Sequence, residues 1–293
     1  MSDLMMGSGA EAMAPPGREA WRMFFRNKAA VAGLFLLLGV ILMTFLGPYV
    51  YDEDPKDIVA RPLKGPGTED VPGLGTDYLG RDVLAGVVNG GLTSLRVAAI
   101  AAALIVMIGV TIGAVSGFYG GVIDNALMRF TEVFQVLPAL LFAMVVVALF
   151  GPSPWKVSIA IGLVLWPQLA RLTRAEFLRL KNMEFVKAAQ AIGSSDLRII
   201  MRVILPNALP PLIVATTLVM GGAILLEAGL AFLGLGDANE VSWGLMIGQN
   251  RTNFITSWWT VTFPGLAIFV TVLSFSLIGD GLQDAFNPKL RGR

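Results

Sequence analysis

The sequence predicts an all-α polytopic membrane protein with six transmembrane helices and both termini in the cytoplasm. Apolar residues make up 55% of the 293 residues and charged residues only 15%, and the mean hydropathy is +0.70. In a typical soluble domain about a quarter of the residues are charged. The apolar residues are gathered in long blocks, as in a protein that crosses the membrane several times. The third observation, the distribution of basic residues along the chain, sets the orientation.

The first apolar block is predicted to be a retained span. It follows the basic residues 18–28, it is long enough to cross a bilayer at about 20 residues, and no small-residue cleavage site follows it, so a signal peptide is disfavoured. The six predicted spans cover residues 29–50, 92–115, 133–150, 157–170, 209–233 and 258–278. Pro138, Pro167 and Pro264 lie inside three of these spans and predict bends.

The polar segments complete the predicted organisation. Residues 1–28 form a cytoplasmic N-terminal segment that begins with a disordered tail, and the prolines of the acidic periplasmic segment 51–91 disfavour long helices there. Residues 92–282 form a five-helix core, and residues 283–293 form a cytoplasmic tail. Within the core lie a short loop that contains Tyr119, Asp124 and Arg129, a cytoplasmic elbow at residues 171–206 and a second outer loop at residues 234–256.

Lysine and arginine are concentrated in alternate loops, which predicts which loops are cytoplasmic. The cytoplasmic set comprises Arg18, Arg22, Arg26, Lys28, Arg129, Arg171, Arg174, Arg179, Lys181, Lys187, Arg198, Arg202, Lys289, Arg291 and Arg293. The opposite set comprises Lys56, Arg61, Lys64, Arg81, Lys156 and Arg251. The elbow is therefore expected inside the cell and the acidic segment outside. The net charge of +1 gives no reason to expect nucleic acid as a partner.

The sequence of the elbow predicts two short amphipathic helices joined by a turn. In the first helix an apolar stripe repeats at i, i+3, i+4 and i+7, and polar side chains occupy the other side. The stripe is Phe185, Ala188, Ala189 and Ile192, and the polar side is Glu184, Lys187 and Gln190. Gly193 is suited to end this helix in the left-handed conformation, and Ser194 or Ser195 to cap the next.

The second helix of the elbow repeats the apolar spacing. Leu197, Ile200, Met201 and Ile204 form its stripe, and Pro206 is expected to stop the helix before the next span. The two stripes can rest on the membrane surface or dock into a groove of another protein. The small residues of the first stripe favour docking, and because the elbow joins two spans, a push on it would move both.

The spacing in the elbow resembles the "EAA" signature of permease subunits of ATP-binding-cassette importers. That signature reads Glu-Ala-Ala, three residues, Gly, nine residues, Ile-x-Leu-Pro; here Lys187 replaces the glutamate and Val203 the isoleucine. The resemblance implies a coupling helix that seats in a cleft of an ATPase subunit. The residues it implies for this contact are Glu184, Phe185, Lys187, Ala188, Ala189, Ile192, Gly193, Leu205 and Pro206.

Further stretches resemble the peptide/nickel branch of that family. They are Leu74-Gly-Thr-Asp-Tyr-Leu-Gly-Arg-Asp-Val-Leu84, Glu227-Ala-Gly-Leu-Ala-Phe-Leu-Gly-Leu-Gly236 with Ser242-Trp-Gly244, and Gly279-Asp-Gly-Leu-Gln-Asp-Ala-Phe-Asn-Pro288. The resemblance implies the type I permease fold of these importers, a place in the bacterial inner membrane, and the second permease subunit of a dipeptide or oligopeptide importer. Nickel, glutathione-like and opine-like solutes remain alternatives.

The same resemblance implies the partners: a homologous second permease in a heterodimer, two ATPase subunits that hold ATP and Mg²⁺, and an extracytoplasmic solute-binding protein. The chain has no Gly-x-x-x-x-Gly-Lys-Ser/Thr phosphate loop, so the ATPase must be another chain. It also lacks cysteine and histidine, which excludes thiolate sites and histidine acid–base chemistry. We expect no cofactor, metal site or catalytic residue here, and hence no enzyme activity of the chain alone.

Two charged residues fall inside predicted spans, Arg96 and Glu227. Intramembrane charges are candidates for a transport pathway, but a structural ion pair or snorkelling explains them as well. We hypothesise an Arg96–Glu227 ion pair. Trp243, Trp258 and Trp259 occupy positions typical of interfacial aromatic anchors.

Two other classes of protein remain open. A secondary transporter is also polytopic, but it usually shows repeated halves and embedded acids for ion coupling, and it leaves the elbow unexplained. A membrane-embedded enzyme requires a catalytic constellation, and no paired carboxylates occur at helical spacing inside a span.

Overall fold

The computed structural model describes residues 16–69, 71 and 73–286, so residues 1–15 of the predicted N-terminal segment and residues 287–293 of the predicted cytoplasmic tail lie outside the described residues. The helices are α1 (Pro16–Arg26), α2 (Lys28–Val50), α3 (Val83–Tyr119), α4 (Gly121–Val136), α5 (Ala139–Phe150), α6 (Pro154–Lys181), α7 (Glu184–Ala191), α8 (Asp196–Arg198), α9 (Leu205–Leu230), α10 (Trp243–Asn250) and α11 (Trp259–Phe286). π-Helical turns at Ile199–Ile204 and Ala231–Leu235 and a 3₁₀ turn at Arg251–Asn253 extend them.

Within the described residues, four helical runs are long and apolar enough to cross a membrane: α2, α3, the continuous run Asp196–Leu235 and α11. A fifth is added if α4 and α5, which meet at an angle of 87°, form one broken span. The remaining predicted span, the fourth at residues 157–170, lies in α6, which has the length but carries Lys156, Gln168 and Arg171 among its apolar residues.

The helices extend beyond the predicted spans. α3 begins at Val83, where Asp82 caps it by accepting a hydrogen bond from the backbone N–H of Leu84. The predicted loop that contains Tyr119, Asp124 and Arg129 is wrong, because α3 runs to Tyr119 and α4 begins two residues later. Gly120 and Gly121 both have positive φ, 69° and 56°, which separates the two helices by a tight turn.

α3 and α6 form the most closely packed pair of the bundle, through three glycines of α3 spaced four apart. A Cβ atom on Gly113 would lie 2.4 Å from the carbonyl oxygen of Ala170, and one on Gly117 would lie 2.6 Å from Cβ of Phe177. Gly109 approaches α6 in the same way, at 3.0 Å from Cβ of Leu169. Small residues one helical turn apart let two helices touch along their backbones, and this contact buries α6 deeply.

The two largest apolar clusters of the described residues fill most of the bundle. The first joins α2, α3, α5, α6, α9 and α11, and the second joins α3 and α6 to α7, the first π-helical turns and the start of α9. Trp243 and Trp259 belong to the core at 0% and 7% exposure, so their prediction as interfacial anchors is wrong. Their indole N–H groups donate to the carbonyls of Val87 and Thr76. Trp258 alone of the three is half-exposed.

Pro206 does not stop a helix, contrary to the sequence prediction. It lies in the first turn of α9, within one helical run from Asp196 to Leu235. The backbone N–H of Leu205 donates to the carbonyl of Ile200, five residues back. A π-helical turn shifts the hydrogen-bond register by one residue, which allows the helix to pass a residue without an N–H group.

We predict that Gly113→Ala lowers the free energy of unfolding by about 1–3 kcal/mol, because the new methyl group overpacks the α3–α6 contact. Thermal unfolding of the purified protein measures the change. Gly39→Ala on α2 is the control, since a Cβ there meets no atom within 4 Å. Equal stability of the two variants would contradict the close contact.

Candidate functional site

The turn of the elbow forms as the sequence predicts. Gly193 has a φ of 78°, its N–H donates to the carbonyl of Gln190 at 2.9 Å, and the N–H of Ser194 donates to that of Ala189 at 3.1 Å. These bonds close the end of α7 in the manner of a left-handed C-cap. Ser195 is the N-cap residue of α8, although its side chain makes no capping hydrogen bond.

α7 is anchored on the protein by the buried side chain of Val186. Val186 is fully buried in the second apolar cluster, together with Leu180, Ile199 and Ile204. Ala189, one turn later, packs against the same cluster. Val186 is not among the residues predicted for the elbow, because it lies beside the predicted stripe. Its i, i+3 spacing from Ala189 is the signal that identifies this second face.

The outer face of the elbow is apolar and exposed. Phe185 is 43% exposed and Ile192 82%, and Ala188 is exposed between them. The second helix adds Leu197 and Met201 at 70% and 53%. Glu184, Lys187 and Gln190 are exposed around this surface. An exposed apolar surface that is surrounded by polar side chains is typical of a protein–protein or membrane contact.

The last residues of the predicted coupling motif have a different environment. Leu205 is half-buried and packs against the cluster that holds Val186, and Pro206 is exposed at the start of α9. These two residues therefore belong to the base of the elbow, and Phe185, Ala188 and Ile192 belong to its outer face.

At the opposite end of the bundle, Glu227 is buried and does not pair with Arg96, which corrects the hypothesised ion pair. The hydroxyl of Ser94 donates to Glu227 at 3.1 Å and accepts a hydrogen bond from the backbone N–H of Trp243 at 3.3 Å. The chain Glu227–Ser94–Trp243 thus links α9, α3 and α10. We call it the outer polar link.

Arg96 lies on the other side of α3. It pairs with Glu240 at 3.1 Å, and Thr93 donates to the same carboxylate at 2.9 Å. Residues two apart on a helix point in nearly opposite directions. Ser94 therefore faces the protein interior, and Arg96, whose side chain is 45% exposed, faces outward.

Beside Glu240 the acidic segment between α2 and α3 borders an open cleft of about 660 Å³. Asp52, Glu53, Asp54 and Asp57 line it together with Glu240. The hydroxyl of Tyr51 donates to Asp82 at the edge of the cleft. Burial and this hydrogen bond raise the pKa of Tyr51. In the part of the chain that the structure describes, no group of three or more acidic side chains is arranged to hold a metal ion.

Comparison with known proteins gives matches over nearly the whole chain. The family model described as "Binding-protein-dependent transport system inner membrane component" matches residues 109–292. A second model, the N-terminal TM domain of oligopeptide transport permease C, matches residues 15–66.

Curated relatives are similar along their full lengths. The dipeptide transport system permease protein DppC of Alkalihalophilus pseudofirmus is 39% identical, with 94% of this chain and 91% of the relative covered. The oligopeptide transport system permease protein OppC of Haemophilus influenzae is also 39% identical, with 96% and 92% covered. The glutathione transport system permease protein GsiD of Pectobacterium atrosepticum is 36% identical, with 94% and 92% covered.

Among solved structures, an inward-facing conformation of the MetNI methionine ABC transporter matches with a TM-score of 0.57. The match covers 69% of this chain and 97% of that chain at 16% sequence identity. At this identity the likeness concerns the fold, which is that of an ABC importer permease.

The outer polar link yields a stability prediction. Ser94→Ala should lower the free energy of unfolding by about 1–3 kcal/mol, because the buried carboxyl of Glu227 and the N–H of Trp243 both lose a partner. Arg96→Gln, on the opposite side of α3, is the matched control and should change the thermal midpoint little. Rescue of an Arg96→Glu variant by Glu227→Arg would contradict this arrangement and restore the ion-pair hypothesis.

Proposed function

This chain belongs to the family of inner membrane components of binding-protein-dependent transport systems. We propose that it works as the permease subunit of a peptide importer, and that the ATPase of this importer docks on the elbow. It is a multi-pass protein of the inner membrane. The observation that carries the proposal is the exposed apolar face of α7, held on a rigid base between two long helices.

We propose six spans, with α6 as the fourth and both termini in the cytoplasm. α6 is too polar to match the other spans, but its backbone packs directly on that of α3 through the three glycines, and its second half carries Arg171 and Arg174. Basic residues near the ends of spans are retained on the cytoplasmic side. In this proposal the elbow lies inside the cell, and the cleft beside Glu240 lies outside.

The elbow is proposed to dock in a groove of the ATPase subunit. Phe185 and Ile192 would enter the groove, Ala188 between them permits close approach, and the charged side chains Glu184 and Lys187 would lie at the rim. Docking of an apolar helix face in a groove is a common recognition mode. ATP and Mg²⁺ would bind to the ATPase alone, since the sequence of this chain has no phosphate loop.

Movement of the docked elbow would be transmitted directly to the neighbouring helices α6 and α9. α7 follows α6 after two residues, and α8 continues without interruption into α9. Val186 ties α7 to residues of both neighbours, Leu180 of α6 and Ile199 of the π-helical turns. A force on α7 would therefore move α6 and α9 together, as alternating access between packed halves requires.

For the transported solute we propose di- or oligopeptides, which the relatives named above support. A glutathione-like peptide is the second candidate, because one relative of similar coverage is a glutathione permease. We further propose a homologous second permease as the other half of the path, two ATPase subunits, and a solute-binding protein that meets the outer end. An ion-gradient transporter is disfavoured, because it would leave the exposed apolar face of α7 without a role.

The docking proposal predicts selective loss of the ATPase. Ile192→Glu should reduce the amount of ATPase that copurifies with the permease by about tenfold or more, since a charge replaces one of the two large apolar anchors of the contact. Gly193→Trp should do the same, because a side chain at a φ of 78° distorts the turn.

The chain would be coexpressed with the products of its neighbouring genes, and the ATPase content of the purified complex measured. Ile255→Glu is the matched control, since Ile255 is 92% exposed at the other end of the bundle. If Ile192→Glu and Ile255→Glu retain equal amounts of ATPase, the elbow is not the docking site.

A further inference from the structure

α4 is fixed to the bundle at few points. Of its 16 residues, all of which the structure describes, only Asp124 and Thr131 are buried. Val122, Val133 and Val136 are exposed at 85%, 61% and 81%. α4 also leads into the sharp bend before α5. A helix attached this sparsely takes its position from those few contacts.

Asp124 lies where three helices meet. Arg174 of α6 donates two hydrogen bonds to its carboxylate, from Nε to Oδ1 at 2.5 Å and from Nη2 to Oδ2 at 2.6 Å. The hydroxyl of Ser116, in the last turns of α3, donates to Oδ1. A bidentate arginine–carboxylate pair fixes orientation as well as distance, because both planar groups must be aligned.

Arg174 occupies a position on α6 that leads to the elbow. Its backbone lies against Gly113 and Gly117 of α3. Because the two backbones are in contact, this part of α6 is expected to move together with α3. Two turns further on, Lys181 donates to the carbonyl of Phe118, and α6 ends there, just before α7. At the other end of α4, Phe130 and Phe134 pack on Trp166 of α6. α6 therefore holds α4 at both ends.

A purely stabilising role does not require a charged pair here. Taking a carboxylate and a guanidinium out of water costs free energy that a packed apolar contact does not, so such pairs often add little net stability. What the pair supplies is a directional connection between α4 and α6. The side chains are 11% and 34% exposed, so water screens the connection only partly.

We propose that Asp124 and Arg174 are positioning residues that make α4 follow α6 when the elbow moves. The inference rests on the proposed function, because it takes the elbow to be the point where the ATPase acts. In this arrangement the ion pair carries the displacement of α6 to the broken α4–α5 segment, and this segment changes its place in the bundle with each ATPase cycle.

The test measures distances inside the assembled complex, purified with its ATPase in lipid. The chain has no native cysteine, so pairs of spin labels can be placed without removing any. One pair joins α4 to α6 through Val122→Cys and Ala175→Cys, both at exposed positions. A reference pair joins α2 to α6 through Leu34→Cys and Ala175→Cys. Each distance is measured without nucleotide and with ATP and vanadate.

With native Asp124, we expect the α2–α6 distance to change between the two states and the α4–α6 distance to stay constant and narrow. In the Asp124→Asn variant the distribution of α4–α6 distances should broaden and become dependent on nucleotide. The α2–α6 distance should still change between the two states. Glu132→Gln is the matched control on the same helix, because it removes the exposed Arg129–Glu132 pair, and it should behave as the native complex does. The exchange Asp124→Arg with Arg174→Asp should narrow the distribution again.

The outcomes separate the two proposals. If no ATPase copurifies with the native chain, the proposed function fails and the inference falls with it. If the ATPase is present but Asp124→Asn keeps the narrow, constant α4–α6 distance, the inference alone is overturned. Should Asp124→Asn not assemble, Arg174→Lys takes its place: it keeps the charge and loses the two-point contact, and an unchanged distribution in that variant overturns the inference equally.

Discussion

The close contact between α3 and α6 is the constraint on which the rest of the structure depends. Lipid provides no hydrophobic force between helices, so helices associate through van der Waals contact and polar bonds. Gly109, Gly113 and Gly117 allow the two backbones to touch over about two turns. α6 carries polar residues that are costly in lipid, and burial against α3 gives it a place in the bundle. The elbow begins where this contact ends.

The elbow combines a rigid attachment with a free apolar face. Val186 fixes α7 to a cluster that contains residues of α6 and of the run into α9, and the turn at Gly193 closes with two backbone hydrogen bonds. On the other side Phe185 and Ile192 remain exposed. A binding surface on a firmly packed base transmits force, whereas the same surface on a flexible loop would not. This arrangement suits a subunit that has no phosphate loop in its sequence and is driven by a partner.

Buried polar groups hold the two ends of the bundle in different ways. At the outer end, Glu227, Ser94 and Trp243 link α9, α3 and α10. Gly244 and Gly248 bring α10 against the backbone at the end of α9 and in the π-helical turn that follows it. At the inner end, Asp124 and Arg174 connect a sparsely attached helix to the one that leads to the elbow. The carboxylates of Glu227 and Asp124 each have a hydrogen-bond partner, which is the condition for burying them.

The sequence by itself determined the class of the protein, the family and the turn of the elbow, because these depend on local properties: apolar blocks long enough to span lipid, motif spacing, and a glycine suited to positive φ at residue 193. It did not predict that Val186 anchors α7, that Trp243 and Trp259 are core residues, or that Arg96 pairs with Glu240 instead of Glu227. Those facts depend on which side of each helix meets a neighbour. A single sequence does not specify how each helix is rotated about its own axis in the bundle. The passage of the helix through Pro206 was likewise decided by the tertiary structure, since the π-helical turn that accommodates the proline is packed through Ile199, Ile200 and Ile204 against helices distant in the chain.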